Sequence, residues 1–531
     1  MSEQTALPGP SEESPTDGWR PTASPWLIAT GVMLAAFMEL LDTSIVNVAL
    51  PHIAGNMAAS TTESTWVLTS YLIANAIVLP ASAWFGRLFG RKRFFMACIV
   101  LFTGASALCG ISHSLGFLVV ARVLQGLGGG ALQPISQAVM FESFPPRQQG
   151  LAMAVFGVGV VTAPVLGPTL GGWLADTYSW RWSFYLNLPV GLLALIMTQA
   201  FLEDAPYLRQ QGRPRVDYIG FALMAIALGT LQVVLDKGQE ADWFEATWVR
   251  MTTAVCLLSF VAFILRELRI PNPIIDLRVF RDRTFAVSTA LMACVGVVLY
   301  TVTVMLPLFL QTLVNYSALQ SGMALSPRGL GSIATMVPAG LLIARMDARI
   351  LIAVGLLLLA RSCFHFGDFS LQVSTAAVIP PTVMNGFGMG LVFVPLTTIA
   401  MLKLPREALG NATGIFNLMR NIGGSVGIAL VATFLARDAQ RHQALMVSHL
   451  TPFDPAYQQW LADGQAALAA RGAVRPAEQA LGAVYGILLQ QSSLAAFIDN
   501  FRLIGFFCLV CIPLVFCLRR VRIVGQPTVM H

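Results

Sequence analysis

The sequence predicts an all-α polytopic membrane protein of fourteen transmembrane helices. Three observations predict it. Only 11% of the 531 residues are charged while 56% are hydrophobic, against roughly a quarter charged in a soluble domain, and the mean hydropathy is +0.69. Apolar stretches long enough to cross a bilayer, which needs about 20 residues per helix, recur along the chain. Finally, the Lys and Arg residues alternate in density between successive loops, as topology requires.

The spans are expected near 26–50, 66–85, 94–111, 115–140, 151–174, 182–202, 218–235, 248–265, 285–313, 319–343, 351–366, 373–402, 410–435 and 501–518. Residues 1–24 precede the first of them. With several Pro, Ser and Glu they read as a disordered tail, and no basic region or small-residue cleavage site marks the first span for removal. With the N-terminus inside, 21 of the 33 Lys and Arg fall in cytoplasmic segments, eight on the other side and four within spans. Both termini are therefore expected in the cytoplasm. The net charge of +6 reports this topology, and no feature supports nucleic-acid binding. The eight cysteines lie in apolar helix sequence, so the Cys508–Cys511 pair reads as packing rather than as half of a metal site.

An internal repeat divides the chain. From Gly150, a Phe follows six positions on and a Gly seventeen on (Phe156, Gly167); from Gly410, Phe416 and Gly427 stand at the same offsets. The repeat spans eight helices, an even number, so both copies run the same way through the membrane. The expected organisation is a tail at 1–24, a six-helix bundle at 25–206, two inserted helices at 207–270, a second six-helix bundle at 271–520 and a short tail at 521–531. Within the second bundle, residues 436–500 form a long outer loop whose Ala/Gln/Leu-rich pieces suit either amphipathic helices or a solvated linker.

Polar residues inside the spans carry the chemistry. Glu39 and Asp42 lie three apart on the first span and share a helix face. A carboxylate at that depth is costly and is read as functional, here as proton handling, or as a structural acid paired to a neighbouring helix. Arg122 stands within the fourth span, with Gln125, Gln133 and Gln137 on the same face, a stripe that must meet protein or water rather than lipid. It reads as a fixed positive charge near the proton site, or as an arginine snorkelling to the outer end of the span. Asn47, Gln125, Gln133, Gln311, Asn385, Asn417 and Asn421 are the expected polar lining of a substrate cavity.

The fifth span poses a separate problem. "GVGVVTAPVLGPTLGGW" (157–173) holds five glycines and two prolines, which in water would disfavour a helix. In a bilayer an unpaired backbone group costs more, so helix is expected, bent by Pro164 and Pro168. Gly167 and Gly171 then offer a small-residue face for close contact with another helix.

These motifs resemble the major facilitator superfamily, and within it the fourteen-span drug:H+ antiporters of the EmrB/QacA type. Gly159, Gly167, Pro168, Gly171 and Gly172 resemble that family's antiporter motif, "LDTSIVNVALP" (41–51) its first-span motif and "RVLQGLGGG" (122–130) its fourth-span motif. "WRWSFYLNLPVG" (180–191), "VDYIGF" (216–221), "NPIIDLRVFRDRTF" (272–285) and "MRNIGGSVG" (419–427) also fit. The resemblance covers residues 26–520. It implies two bundles alternating access to a central cavity, with protons flowing in and amphipathic molecules flowing out across the inner membrane; Glu39, Asp42 and Arg122 are the residues expected to couple the proton. It implies no cofactor beyond the proton motive force. It further implies an HlyD-type periplasmic adaptor and a TolC-like outer-membrane channel as partners. One departure stands out. The loop after the second span, which in the superfamily carries an Asp and an adjoining Arg, here reads Ala83, Phe85, Arg87, Leu88, Gly90, Arg91, so a latch through that Asp does not carry over.

Export of one dedicated metabolite or siderophore is the alternative transport reading. A membrane-embedded enzyme would need a convergent His/Asp/Ser or metal-ligand cluster at a membrane face, and the sequence offers none.

Overall fold

The structure, a computed structural model, describes residues 21–146, 148–205, 216–343, 345–451 and 453–519. The tail at 521–531, most of the tail at 1–24, and Arg20, Arg147, Arg209, Arg213, Arg215, Arg520 and Arg522 of the charge count lie outside the described residues.

Thirteen helices among the described residues are long and apolar enough to cross a membrane. The first runs Pro25–Asn56, the second Trp66–Phe89, the third Arg91–Gly110, the fifth Gln149–Thr177, the seventh Tyr218–Lys237, the eighth Thr247–Glu267 and the ninth Arg283–Thr312. Side-chain caps begin several of them: Ser114, Asp217, Asp282 and Ser374 each accept a hydrogen bond from a first-turn N–H. The tenth expected span, 319–343, is two shorter helices, Ala318–Leu325 and Pro327–Leu342, divided at Ser326. Pro327 cannot donate to the preceding turn, and that breaks the ladder there.

The fourth span is also in two pieces, Leu115–Gly129 and Leu132–Ser143. The break follows three glycines, which let neighbours come close. A Cβ on Gly128 would stand 2.6 Å from the Phe102 amide, and one on Gly130 would stand 2.6 Å from the Asn75 carbonyl. The sixth span begins with a short turn at Trp182–Tyr185 and continues as Asn187–Phe201.

The packing order repeats. The first span packs on the fifth and sixth, the third on the fourth and sixth, the second on the fourth; likewise the ninth packs on the thirteenth and fourteenth, the eleventh (Ala348–Phe366) on the twelfth (Thr375–Leu402) and fourteenth, the tenth on the twelfth. These are two six-helix bundles. They meet where the second span lies on the thirteenth and the tenth on the fifth. The two added helices are central in the chain but peripheral in the packing. The seventh lies over the seam between the second and thirteenth, and the eighth packs on the seventh and exposes Met251, Leu257, Leu258 and Val261 outward.

The 436–500 segment takes the amphipathic-helix alternative rather than the solvated-linker one. It is mostly helix: the thirteenth span continues to Val447 (Leu409–Val447, 39 residues), a separate helix occupies Pro455–Ala470, and the fourteenth begins at Pro476 (Pro476–Val515, 40 residues). At about 1.5 Å per residue each long helix reaches about 60 Å, twice the roughly 30 Å apolar core of a bilayer. The Ala/Gln/Leu-rich composition has high helix propensity, so the spans continue past the membrane as a hairpin with Pro455–Ala470 packed on the fourteenth helix.

Candidate functional site

The first and fifth spans set the site through a close crossing. A Cβ on Gly167 would stand 2.3 Å from Ser44 Oγ, and one on Gly171 would stand 2.9 Å from the Ile45 carbonyl; Gly172 is looser, 3.9 Å from Val48. Gly159 faces the flexible end of Met33. Pro168 lacks the N–H that would satisfy the Pro164 carbonyl one turn earlier. Ser44 Oγ donates to that carbonyl at 3.0 Å, so the acceptor left open by Pro168 is satisfied by the first span.

Three residues apart on the first span, Asp42 and Glu39 enter different networks. Asp42 and Arg122 form an ion pair of 2.6 Å with both side chains 0% exposed. Gln125 Nε2 donates to Asp42 Oδ1 at 2.9 Å and Asn187 Nδ2 donates to the same oxygen at 2.6 Å. Arg122 also donates to Gln125 Oε1 and to the Val67 carbonyl, and its guanidinium lies 4.1 Å from the Tyr71 ring centre. The pair is closed off by protein on all sides.

Glu39 accepts from Tyr71 OH at 2.8 Å, from Asn75 Nδ2 at 3.0 Å and from Gln133 Nε2. No described Lys, Arg or His forms an ion pair with it. Positive charge reaches it at one remove, because Arg420 of the thirteenth span donates to Gln133 Oε1. The Glu39–Gln133–Arg420 chain therefore crosses from one bundle to the other. A second crossing lies beside it, where Asn417 Nδ2 donates to Gln137 Oε1 at 2.6 Å.

Glu39 also lines a central cavity of about 160 Å³ between the bundles. The cavity extends from Glu39 toward the C-terminal end of the first span, past Thr43, Ser44 and Asn47, with Tyr300, Thr303 and Asn421 opposite and Gln232 of the seventh span at the side. Toward the other end the bundles touch at points but flank a larger cleft of about 470 Å³, lined by Arg87, Arg91 and Glu142 on one side and by Asp276, Gly410 and Asn411 on the other. There a Cβ on Gly150 would stand 2.5 Å from the Gly340 carbonyl, and Gly410 faces Ala83.

Of the residues expected to line a cavity, Asn47, Gln133 and Asn421 do so. Gln125 is sealed into the Asp42 pair, Asn417 bonds to Gln137, Asn385 is buried within the second bundle, and Gln311 is exposed near the end of the ninth span; none of these four lines this cavity. The polar stripe on the fourth span is real but divided: the glycine break sends Arg122 and Gln125 to Asp42 and Gln133 to Glu39. Sequence reasoning missed Tyr71 and Asn75. They stand four apart on the second span, the spacing of one helix face, and that was the available signal.

At that end, Gly90 has φ +90° and starts the third helix, a backbone conformation suited to glycine. Arg91 pairs with Glu142 at 2.8 Å. Arg87, standing where the superfamily's acid is expected, donates to the Pro273 carbonyl at 3.4 Å. The linker after the eighth span is held in turn by the thirteenth: Asp276 N–H donates to Asn411 Oδ1, and Asn411 Nδ2 donates to the Asp276 carbonyl.

Comparison with known proteins agrees with this architecture. Residues 32–428 match the Major Facilitator Superfamily. The chain is 33% identical over 431 residues to the multidrug export protein EmrB of Escherichia coli K12, covering 81% of this chain and 84% of that one. It is 37% identical over 444 residues to the fatty acid resistance protein FarB of Neisseria gonorrhoeae, covering 81% and 86%. Among solved structures, a double-Trp mutant of XylE aligns with a TM-score of 0.62 at 12% identity over 94% of this chain and 97% of that one, which speaks to the fold alone. This chain is a multi-pass inner-membrane transporter that belongs to the major facilitator superfamily, in its EmrB-type group.

Proposed function

We propose that the protein exports hydrophobic or amphipathic compounds by alternating access, in exchange for protons, with Glu39 as the exchanging group. The observation that carries this reading is the position of Glu39. It faces the cavity, it is held by three neutral donors rather than by a direct cation, and it is linked through Gln133 and Arg420 to the opposite bundle. A proton arriving on Glu39 weakens those charge-assisted bonds, which loosens one tie between the bundles and favours their rearrangement. No cofactor enters this scheme; the proton gradient supplies the free energy. Asp42 and Arg122 act as a fixed charge pair that holds the first, second and fourth spans in register. The names of EmrB and FarB, a multidrug exporter and a fatty acid resistance protein, support the substrate class.

From the family resemblance we further propose the permease of a tripartite pump, with an HlyD-type adaptor and a TolC-like channel. The helical hairpin of residues 436–500 offers a surface for such contact. Co-purification with an adaptor is expected, and full export in cells lacking any adaptor overturns this part.

Proteoliposomes test the central claim. An acid gradient directed inward along the proton path is expected to drive substrate movement in the parent protein. Glu39→Gln is expected to lose the gradient-driven part while still exchanging substrate for substrate. Gradient-driven export at the parental rate in that variant overturns the assignment.

A further inference from the structure

The two walls of the central cavity differ in charge. The first bundle contributes Glu39; the second contributes Tyr300, Thr303 and Asn421, all neutral. Behind that neutral wall stand two guanidinium groups, Arg328 on the tenth span and Arg420 on the thirteenth, 3% and 1% exposed. Neither has a carboxylate partner among the described residues, although Arg122 has Asp42 and Arg91 has Glu142.

Of the two, Arg328 is the less satisfied. Its Nη1 donates to Thr303 Oγ1 at 2.7 Å, while Nε and Nη2, both buried, have no hydrogen-bond partner. Thr303 lines the cavity and its hydroxyl donates to the Leu299 carbonyl at 2.6 Å, so the guanidinium stands one side chain behind the cavity surface. Burying a charge with idle donors is costly unless something pairs with it. The backbone there is fixed rather than loose: the twelfth span crosses so closely that a Cβ on Gly386 would stand 2.1 Å from the Arg328 carbonyl, and Ser332 Oγ bonds to both carbonyls. A buried guanidinium with two idle N–H groups and a fixed backbone, beside a largely apolar cavity, matches one chemistry, a carboxylate on an apolar body.

We propose that Arg328, presented through Thr303, is an anion subsite that takes the carboxylate of an amphipathic acid while the apolar part occupies the cavity. The inference rests on the cavity being the substrate site, as proposed above. It makes the protein selective for acids over amines of the same shape, and it sets the substrate's charge on the wall opposite Glu39.

Equilibrium dialysis of the purified full-length protein against 2-naphthoate and 2-naphthylmethylamine tests this. Arg328→Gln is expected to weaken naphthoate binding by about tenfold or more and the amine by less than about threefold, since a charge-assisted pair is lost for only one ligand. Arg328→Lys is expected to retain part of the naphthoate affinity. Thr303→Val, which removes the hydroxyl that holds Arg328 Nη1 at the cavity wall, is expected to weaken naphthoate by about threefold and carries the test if Arg328→Gln fails to give a monodisperse protein. Unchanged naphthoate affinity in these variants, equal loss of both ligands, or a parent protein that prefers the amine overturns the subsite. Transport separates the two proposals. Selective naphthoate binding without gradient-driven export overturns the export reading and leaves the subsite standing, whereas export with naphthoate affinity indifferent to Arg328 overturns the subsite alone.

Discussion

Asp42 and Glu39 occupy one helix face, one turn apart, yet the protein uses two opposite solutions to bury them. Asp42 is matched by a guanidinium and two amide donors and is sealed from the cavity. Glu39 is matched by a phenol and two amides, borders the cavity, and meets a cation through an intervening glutamine. The difference decides what each can do. Protonating Asp42 strands Arg122 as a buried, unpaired charge, whereas protonating Glu39 strands no directly paired cation. On the reading proposed above, Asp42 with its direct countercharge is the fixture, and Glu39, with neutral partners and a place on the cavity wall, is the exchanging group.

The largest expected effect tests the fixture. Asp42→Asn and Arg122→Ala each leave one charge buried without its partner, which costs about 3–5 kcal/mol. Thermal melts of purified protein are expected to show a large loss, and the double variant Asp42→Asn, Arg122→Gln is expected to recover part of it. Single variants as stable as the parent would erase the contrast with Glu39. Next in size is Gly167→Leu, which drives a side chain into Ser44 at the first–fifth crossing. Overpacking of this kind costs about 1–3 kcal/mol, and gradient-driven export is expected to vanish while the protein still inserts. Normal pumping by that variant reduces the motif to packing that the helices can shift to accommodate. Glu39→Gln comes third. An amide replaces an acid whose partners are all neutral, so the melt is expected to move by no more than the worth of a hydrogen bond or two, about 1–2 kcal/mol. A melt shift as large as that of Asp42→Asn would place Glu39 among the fixtures.

The fold and the site were legible in the sequence to different depths, for physical reasons. Span positions follow from local composition, because the bilayer imposes a length and an apolar requirement that each segment meets by itself. The first–fifth crossing was readable from Gly167 and Gly171, since a close approach needs small residues whatever the partner. Its counterpart recurs at Gly427, where an added Cβ would stand 2.6 Å from Thr301 Oγ1 on the ninth span. The partners of Glu39 and Asp42 were not readable, because Tyr71, Asn75 and Asn187 come to them only through packing between helices. The broken fourth span set a further limit. A uniform helical wheel puts Arg122, Gln125, Gln133 and Gln137 on one face, but the glycine break redistributes them to Asp42, Glu39 and Asn417. The helical continuation beyond the thirteenth and fourteenth spans was obscured for the converse reason: those residues are amphipathic rather than apolar, and hydropathy marks where a membrane ends rather than where a helix does.

The smallest expected effect concerns a third acid, one paired as Asp42 is but placed at the border of the membrane. Asp217 caps the seventh span and pairs with Arg266 of the eighth at 2.7 Å. Burial alone would raise its carboxyl, but the hydrogen bonds from Arg266 and the Gly220 N–H outweigh that and hold it below the ordinary aspartate range. A carboxyl lowered in the folded state contributes stability above its unfolded value, and that contribution is lost as pH falls from the ordinary aspartate range through the lowered one. Because solvent reaches the Arg266 side of the pair, the contribution is at most about 1 kcal/mol. Asp217→Asn is therefore expected to lower the melting temperature slightly at neutral pH and not at all once the parent carboxyl is protonated. Added salt should narrow the neutral-pH gap, since this pair is screened. The Asp42 pair should not answer to salt: no solvent reaches it, so its contribution is expected to stay constant across the same salt range. A salt response at Asp42 as large as that at Asp217 would show that water enters the sealed pair, and would return Asp42 to the exchangeable groups alongside Glu39.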